Sequence, residues 1–190
     1  MYRQSENYYI VLMQKLYCYS AQTFKQIMDD NKWTNKTLPS SVACIEICAT
    51  PDVRDHYGQL FSITDKPWFL NRKSLGPVPE NVLKLNFDDI TEEVVVIDDD
   101  KFAWGMNVDQ AKQIVEFIEK NIDKDFYIHC HAGKSRSQAI VRFILDFYPD
   151  HDWETRPENP CRTELINWRV YSLLKAAKCG YENAFIDAPS

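Results

Sequence analysis

A cysteine and an arginine stand six positions apart in the segment IHCHAGKSRS, which covers residues 128–137. Cys130 closes a short apolar run, a loop that contains glycine follows, and Arg136 opens a segment that is predicted to be helical. Backbone N–H groups at the start of a helix attract an anion, and the helix dipole adds to this attraction. Arg136 contributes a planar guanidinium that can hold two oxygens of a phosphate group. The segment therefore predicts a phosphate-binding loop with a thiol beneath it.

A thiol in such a positive pocket ionises more readily than an ordinary cysteine, whose pKa is about 8.5. The thiolate of Cys130 would lie below a bound tetrahedral dianion, where it can accept a phosphoryl group. The same thiolate would be the first thiol that peroxide oxidises. Cys44 and Cys48, on a neighbouring predicted strand, are candidate disulfide partners for it.

Other kinds of site use similar residues. An ATP-binding P-loop needs a glycine five positions before Gly133, where this chain has Ile128. A metal site would combine Cys130 with its neighbouring histidines, but adjacent residues of an extended strand point to opposite faces. A cysteine at a strand end can also be purely structural. The Arg-Ser pair that follows Cys130 after five intervening residues favours the catalytic interpretation.

The composition of the chain limits the classes of function. Its 190 residues are 45% apolar and 26% charged, which is typical of one globular domain. A net charge of −6 disfavours nucleic acid and anionic membranes as partners. No apolar run reaches the roughly 20 residues of a membrane span, and no signal peptide is predicted. The six cysteines form no CxxC pair, so we expect reduced thiols in a cytoplasmic protein without bound zinc.

The elements that must position the loop alternate between strands and helices. This alternation predicts a single α/β domain with a central, mostly parallel sheet of four or five strands flanked by helices. Residues 1–40 contribute a strand and a helix without a recognisable motif, and residues 41–180 form the predicted catalytic core. Strands are predicted at 8–13, 41–48, 82–87 and 126–128, and helices at 20–29, 107–122, 136–147 and 163–178.

The segment HCHAGKSRS, from His129 to Ser137, resembles the HCxxGxxR[ST] signature of cysteine-dependent protein tyrosine phosphatases. Its Ala-Gly-x-Ser-Arg-Ser form is most similar to the dual-specificity branch, and a weaker resemblance extends over about residues 42–174. The resemblance implies a phosphatase-like α/β fold and hydrolysis of phosphate monoesters through a phosphocysteine intermediate. It also implies that no metal or organic cofactor takes part and that the partner is a phosphorylated protein or another phosphomonoester.

The resemblance assigns roles to individual residues. Cys130 would be the nucleophile, and Ser137 would donate a hydrogen bond to its thiolate. His129 would orient the loop and help to keep the thiol ionised. The phosphoryl oxygens would be held by the loop itself, through His131, Ala132, Gly133, Lys134, Ser135 and Arg136.

Enzymes of this family also use an aspartic acid from a separate loop, which protonates the leaving group and later activates water. Asp89 directly follows the predicted strand at 82–87, and active sites of parallel sheets collect at such strand ends. Asp89 is therefore the predicted general acid, with its neighbour Asp88 as an alternative. A second alternative is the triplet Asp98, Asp99 and Asp100, which lies nearer to the cysteine in sequence.

Several substrates and functions fit these residues. Phosphotyrosine, with or without phosphoserine and phosphothreonine, is the predicted substrate, and Ser137 in place of a Thr-Gly ending favours it. His131 and Lys134 add positive charge to the loop, as in phosphoinositide phosphatases, and a basic and aromatic stretch at 66–73 would border the cleft. A phosphate-binding module without turnover and a rhodanese-type sulfur transferase are further alternatives. The presence of both Cys130 and Arg136 disfavours a phosphate-binding module without turnover. A sulfur transferase would not need Arg136, Ser137 or a separate acid.

Overall fold

A computed structural model of the chain describes residues 13–34, 37–49, 79–98, 101–155 and 165–180. These ranges contain seven strands and four helices. The strands are β1 (Gln14–Ser20), β2 (Val42–Cys48), β3 (Val82–Asn86), β4 (Val94–Asp98), β5 (Lys101–Trp104), β6 (Asp125–Cys130) and β7 (Trp153–Thr155). The helices are α1 (Ala21–Asp30), α2 (Val108–Lys120), α3 (Arg136–Phe147) and α4 (Trp168–Cys179).

Five of the strands form one sheet in the order β3-β2-β6-β1-β7. Every neighbouring pair in this sheet is parallel, whereas β4 and β5 form a separate antiparallel hairpin. The predicted α/β class, with a parallel sheet of four or five strands flanked by helices, is confirmed. In the register of β1 and β6, Ser20 lies beside Cys130, so the first described strand supports the end of the strand that carries the thiol.

Helices cover both faces of the sheet. On one face α2, α3 and α4 pack over Phe126 and Ile128, which are completely buried. On the other face α1 packs through Phe24 and Met28, which are also completely buried. All seven residues of β2 are buried, as expected for a parallel strand that is covered on both sides.

Side-chain caps begin three of the four helices. The Ser20 hydroxyl accepts a hydrogen bond from the Thr23 N–H at 3.1 Å, and Asn107 forms a capping box with Gln110. The predicted helices after these two caps are confirmed. The last helix was predicted to start at 163, but α4 begins at residue 168 because the side chain of Asn167 accepts from the Val170 N–H at 3.1 Å.

The first strand of the described residues does not coincide with the strand predicted at 8–13. Residues 8–12 of the predicted strand lie outside the described residues, and β1 covers Gln14–Ser20 instead. Leu16 and Cys18 face α2, α3 and α4, whereas Tyr19 packs on the side of α1. Since both faces of β1 are covered, its sequence lacks the alternation of apolar and polar residues that marks a half-exposed strand. The hairpin of β4 and β5 and the short strand β7 were not predicted either.

Candidate active site

The thiol of Cys130 lies at the junction between β6 and the loop before α3. The side chain is 1% exposed, and its Sγ is 3.1 Å from the Ser137 Oγ. Burial alone would raise the pKa of this thiol, but the Arg136 guanidinium, the Ser137 hydroxyl and backbone N–H groups of the loop together bring it below its ordinary value. The site therefore favours the thiolate, which is the nucleophilic form of cysteine.

Ser137 is fully buried, and its hydroxyl lies between two sulfur atoms. The Cys18 Sγ on β1 lies 3.1 Å from the Ser137 Oγ and 3.3 Å from the Gly133 carbonyl oxygen, and its single S–H is shared between these two acceptors. A thiolate has no proton to donate, so the hydroxyl must donate to Cys130 and accept from Cys18. Cys18 thus orients the serine that the sequence predicts as a partner of the nucleophile. Sequence analysis missed Cys18, because a single cysteine in an apolar strand is typical of a packed core.

Cys44 and Cys48, the expected disulfide partners of Cys130, lie on the opposite face of the sheet. In the register of β2 and β6, Glu46 is paired with His129, so the two cysteines share the face of His129 and not that of Cys130. Burial raises the pKa of both thiols, for Cys48 to about 12. The sheet therefore separates them from the Cys130 thiol, and both are protonated at neutral pH.

His129 faces α1, where its ring stacks on Phe24 with 4.4 Å between the ring centroids. Burial, together with the positive charges of Lys84 and Arg136, lowers the pKa of His129 to about 3. The ring is therefore neutral at pH 7 and adds no charge that would help to ionise the thiol. The expected contribution of His129 to ionisation and its role in orienting the loop both stay predictions.

Arg136 joins the predicted phosphate-binding loop, residues 131–136, to the loop that follows β3. The side chain is 3% exposed, and its Nη1 donates to the Phe87 carbonyl at 2.7 Å. Its Nε has no hydrogen-bond partner among the described residues. A buried donor without a partner is costly, and an oxyanion bound in the loop would satisfy it. Ser135 makes no side-chain cap to α3, so the N–H groups at the start of this helix also remain for an anion.

Two neighbouring aspartates after β3 have different environments. Asp88 is buried, its N–H donates to the Trp104 carbonyl at 2.7 Å, and its Oδ2 accepts from the Trp104 N–H at 2.8 Å. Asp89 is exposed, and its Oδ1 accepts from the Ser135 Oγ and from the Asn167 Nδ2, both at 2.8 Å. Asp88 thus holds its loop to β5, whereas Asp89 is the carboxylate that the structure brings to the phosphate-binding loop.

The side chains of the remaining candidates for the general acid are not among those that the structure describes. Asp99 and Asp100 lie outside the described residues, and Asp98 is placed only by its backbone at the end of β4. The basic and aromatic stretch at 66–73 also lies outside the described residues. The alternative acid and the predicted border of the cleft therefore stay predictions.

The outer part of the loop carries less charge than its sequence indicates. Burial and the charge of Arg136 lower the pKa of His131, so this ring is neutral at pH 7. Lys134 is exposed, as is Ala132. Lys134 and Arg136 are then the two charged side chains that the loop segment 131–136 offers to an anion.

Gly133 shapes the loop against β1. Its φ of +68° lies in the left-handed region, and a Cβ at this position would come within 2.5 Å of the Tyr19 backbone carbon and 2.6 Å of the Ser20 nitrogen. The neighbouring Ala21 N–H donates to the His131 carbonyl at 3.1 Å. The backbone at the end of β1 thus forms a wall against which the loop is folded.

We expect Gly133→Ala to displace the loop and to destabilise the protein. Left-handed strain costs a non-glycine residue about 1–2 kcal/mol, and backbone atoms of β1 cannot move away from the new methyl group as a flexible side chain would. Thermal unfolding of this variant should begin at a lower temperature than that of the wild type. Gly180→Ala is a matched control, because its φ is +73° and, among the described residues outside its own helix and chain neighbours, no heavy atom lies within 4 Å of the added Cβ. An equal fall in the unfolding temperature of the two variants would contradict the proposal that the backbone of β1 confines the loop at Gly133.

Among the described residues, no group of three or more His, Cys, Asp and Glu side chains is arranged to hold a metal ion. No helix within the described ranges is long and apolar enough to cross a membrane.

Comparisons with known proteins give little beyond this geometry. No family model matches the chain, and no curated protein matches it significantly. Among solved structures, the chain is similar to the crystal structure of PTPMT1 in complex with PI(5)P. The match covers 90% of this chain and 97% of that chain, with 13% sequence identity and a TM-score of 0.40. A likeness at this distance does not indicate what this chain does.

Proposed function

We propose that the protein hydrolyses phosphate monoesters through a phosphocysteine intermediate. The observation that carries this proposal is the arrangement around one loop. Cys130, with its lowered pKa, lies beneath the loop, Arg136 stands at the start of the following helix, and the Asp89 carboxylate is hydrogen-bonded to Ser135 of the same loop. A nucleophile, an anion holder and a proton donor thus meet at one place.

In the first step, the thiolate of Cys130 attacks phosphorus and the bond from phosphorus to the leaving oxygen breaks. Arg136 and the N–H groups of residues 131–136 hold the three remaining oxygens as negative charge redistributes. Asp89 transfers its proton to the leaving oxygen, so that an alcohol or phenol departs instead of its anion. The product of this step is a phosphocysteine and an ionised Asp89.

In the second step, water attacks the phosphorus of the phosphocysteine. Asp89 accepts a proton from this water, the bond between phosphorus and sulfur breaks, and phosphate is released. The sulfur of Cys130 leaves as a thiolate, and the hydroxyl of Ser137, 3.1 Å away, stabilises the new charge. The residues then return to the state in which the cycle began, without a further reactant.

Phosphotyrosine, alone or together with phosphoserine and phosphothreonine, is the substrate that we propose. The resemblance of residues 129–137 to the dual-specificity branch supports it. A phosphoinositide or another non-protein phosphomonoester is the second candidate, because the exposed Lys134 would suit a headgroup with several phosphates. The neutral His131 and the net charge of −6 speak against an anionic lipid surface. The dependence on a reduced thiol fits a cytoplasmic location.

The test is hydrolysis of a small aryl phosphate by the purified protein in the presence of a chelator. We expect metal-independent turnover that vanadate inhibits competitively. A phosphotyrosine peptide and a phosphoinositide, supplied at equal concentration, then separate the two substrate classes by kcat/KM. If a folded preparation binds inorganic phosphate but turns over none of these compounds, the chain is a phosphate-binding module and the proposed reaction is wrong.

Ser137→Ala should slow the second step more than the first, because the leaving thiolate loses the hydrogen bond of the Ser137 hydroxyl. Rapid mixing with an aryl phosphate should show a burst of released phenol followed by a slow steady state. Cys18→Ala should produce a weaker effect in the same direction, since Cys18 orients the Ser137 hydroxyl. Equal slowing of both steps, without a burst, would contradict the role of Ser137.

A further inference from the structure

Asn167 is buried, with 4% of its surface exposed, and it contacts three parts of the site through its side chain and its backbone. Its Oδ1 accepts from the Val170 N–H and so caps α4. Its Nδ2 donates to the Asp89 Oδ1 at 2.8 Å and to the Ile90 carbonyl at 3.1 Å. Its backbone N–H points to the Ser135 carbonyl at 3.4 Å. One residue thus ties together the start of a helix, the loop of the acid and the phosphate-binding loop.

These contacts determine which way the amide is oriented. The cap requires an acceptor opposite the Val170 N–H, and both the Asp89 carboxylate and the Ile90 carbonyl require a donor. Only the orientation with the oxygen at the helix and the NH₂ group at the loop satisfies all three partners. The two N–H bonds of the amide are then both used, one on the carboxylate and one on the carbonyl.

The same contacts make the two oxygens of Asp89 unequal. The Oδ1 accepts two hydrogen bonds, from the Ser135 hydroxyl and from the Asn167 amide. An oxygen with two occupied acceptor sites has no room for a proton in the carboxylate plane. The proton that Asp89 gives and takes must then be carried by the Oδ2.

The first turn of α4 is a firm support for this arrangement. Val170 is completely buried, and Leu174, one turn later, is also completely buried. Arg169, next to Val170, donates from its Nε to the Met106 carbonyl at 2.9 Å, which ties α4 to the segment after β5. Ser135, the second donor to Asp89, belongs to the phosphate-binding loop itself. Asn167 therefore holds the Asp89 carboxylate from an element outside the phosphate-binding loop.

We propose that Asn167 is a positioning residue that holds the Oδ1 of Asp89 and so presents the Oδ2 to the leaving group and to water. This inference rests on the proposed phosphatase reaction and deepens it. According to this inference, the start of α4 orients the Asp89 carboxylate, in addition to the loop that carries Asp89.

The test compares Asn167→Ser with Asp89→Asn on aryl phosphates whose leaving groups differ in basicity. Serine keeps a good N-cap for α4 but has no amide to donate to Asp89. We expect Asn167→Ser to lose roughly 10–10²-fold in the single-turnover rate of release of a poorly leaving phenol, which reports the first step alone; this is the cost of a misplaced catalytic group. The loss should nearly vanish on an activated phenol, and KM and the affinity for inorganic phosphate should stay close to those of the wild type. Asn167→Asp, which keeps both the shape and the cap, should give the same leaving-group dependence.

Two controls distinguish a positioning role of Asn167 from an effect on the stability of the protein. Asn107→Ser exchanges the same residue types at the N-cap of α2, and we expect it to leave the leaving-group dependence unchanged. The double variant Asn167→Ser with Asp89→Asn should be no slower than Asp89→Asn alone, because both changes act through one proton transfer.

The outcomes distinguish the two proposals. If Asp89→Asn shows the leaving-group dependence but neither variant of Asn167 does, the positioning role is wrong and the phosphatase reaction stands. If the Asn167 variants lose equally on all leaving groups in this first step, Asn167 acts only as a structural cap and the inference is again wrong. If the wild type turns over no phosphomonoester, both proposals are overturned.

Discussion

Cys130→Ser is expected to abolish turnover while phosphate binding is retained. The electrostatics of the site favour a thiolate: Arg136 and the N–H groups of the loop offset the cost of burial and lower the pKa of Cys130. A serine hydroxyl stays protonated in the same place, because its intrinsic acidity is far lower, and it cannot attack phosphorus. The anion site consists mainly of backbone N–H groups and Arg136, which this change leaves in place.

Turnover of an aryl phosphate and binding of inorganic phosphate, measured by calorimetry, check the two halves of this expectation. Cys44→Ser is a matched control, because it also places a hydroxyl in a fully buried position but on the other face of the sheet. We expect this variant to keep its activity if it folds. A Cys130→Ser protein that retains a substantial fraction of wild-type turnover would contradict the covalent mechanism.

Asp89→Asn is expected to lower the rate of the first step by roughly 10²–10⁴-fold on a poor leaving group such as phosphotyrosine. The amide oxygen can still accept from Ser135 and Asn167, so the loop keeps its hydrogen bonds while the transferable proton is removed. On an activated aryl phosphate, whose phenolate departs unaided, the loss should be small. The dependence on the leaving group therefore distinguishes the loss of the acid from a change in shape.

A series of aryl phosphates, measured under single-turnover conditions, reports this dependence for the first step alone. Asp88→Asn should not show it, because the Asp88 carboxylate binds the Trp104 N–H and acts on the geometry of the loop. If Asp98→Asn shows the leaving-group dependence and Asp89→Asn does not, the acid is supplied from the end of β4. The argument from the end of β3 would then be wrong.

The central features of the site are predictable from sequence because they are local. The strand, the loop and the helix that surround Cys130 follow one another within about twenty residues, and α3 covers the predicted residues 136–147. The position of Asp89 follows from a general property of parallel sheets, whose strand ends collect functional side chains. Neither inference requires knowledge of how distant segments pack.

Other parts of the site depend on contacts that no local pattern reveals. Cys18 and Ser137 are 119 residues apart, and Asp89 and Asn167 are 78 residues apart. Each pair meets only because β1 lies beside β6 and α4 packs over the sheet. The sequence predicts the last helix from residue 163, and it reveals neither that Asn167 caps this helix nor that the Asn167 amide reaches an aspartate. The neutral state of His129 is likewise a result of burial, which the sequence does not display.

The order of the strands has a consequence for how the chain is made. β1 pairs with β6 and β7, and the contact between the Lys15 N–H and the Asp125 carboxylate spans 110 residues. At about 5–20 residues per second, a ribosome needs on the order of ten seconds between these two segments. During that time β1 has neither neighbour, and its apolar side chains and unpaired backbone groups can attract other chains. The backbone at the end of β1, against which the phosphate-binding loop folds, is thus synthesised long before the loop itself. A chaperone that shields residues 14–20 during synthesis should increase the yield of folded protein.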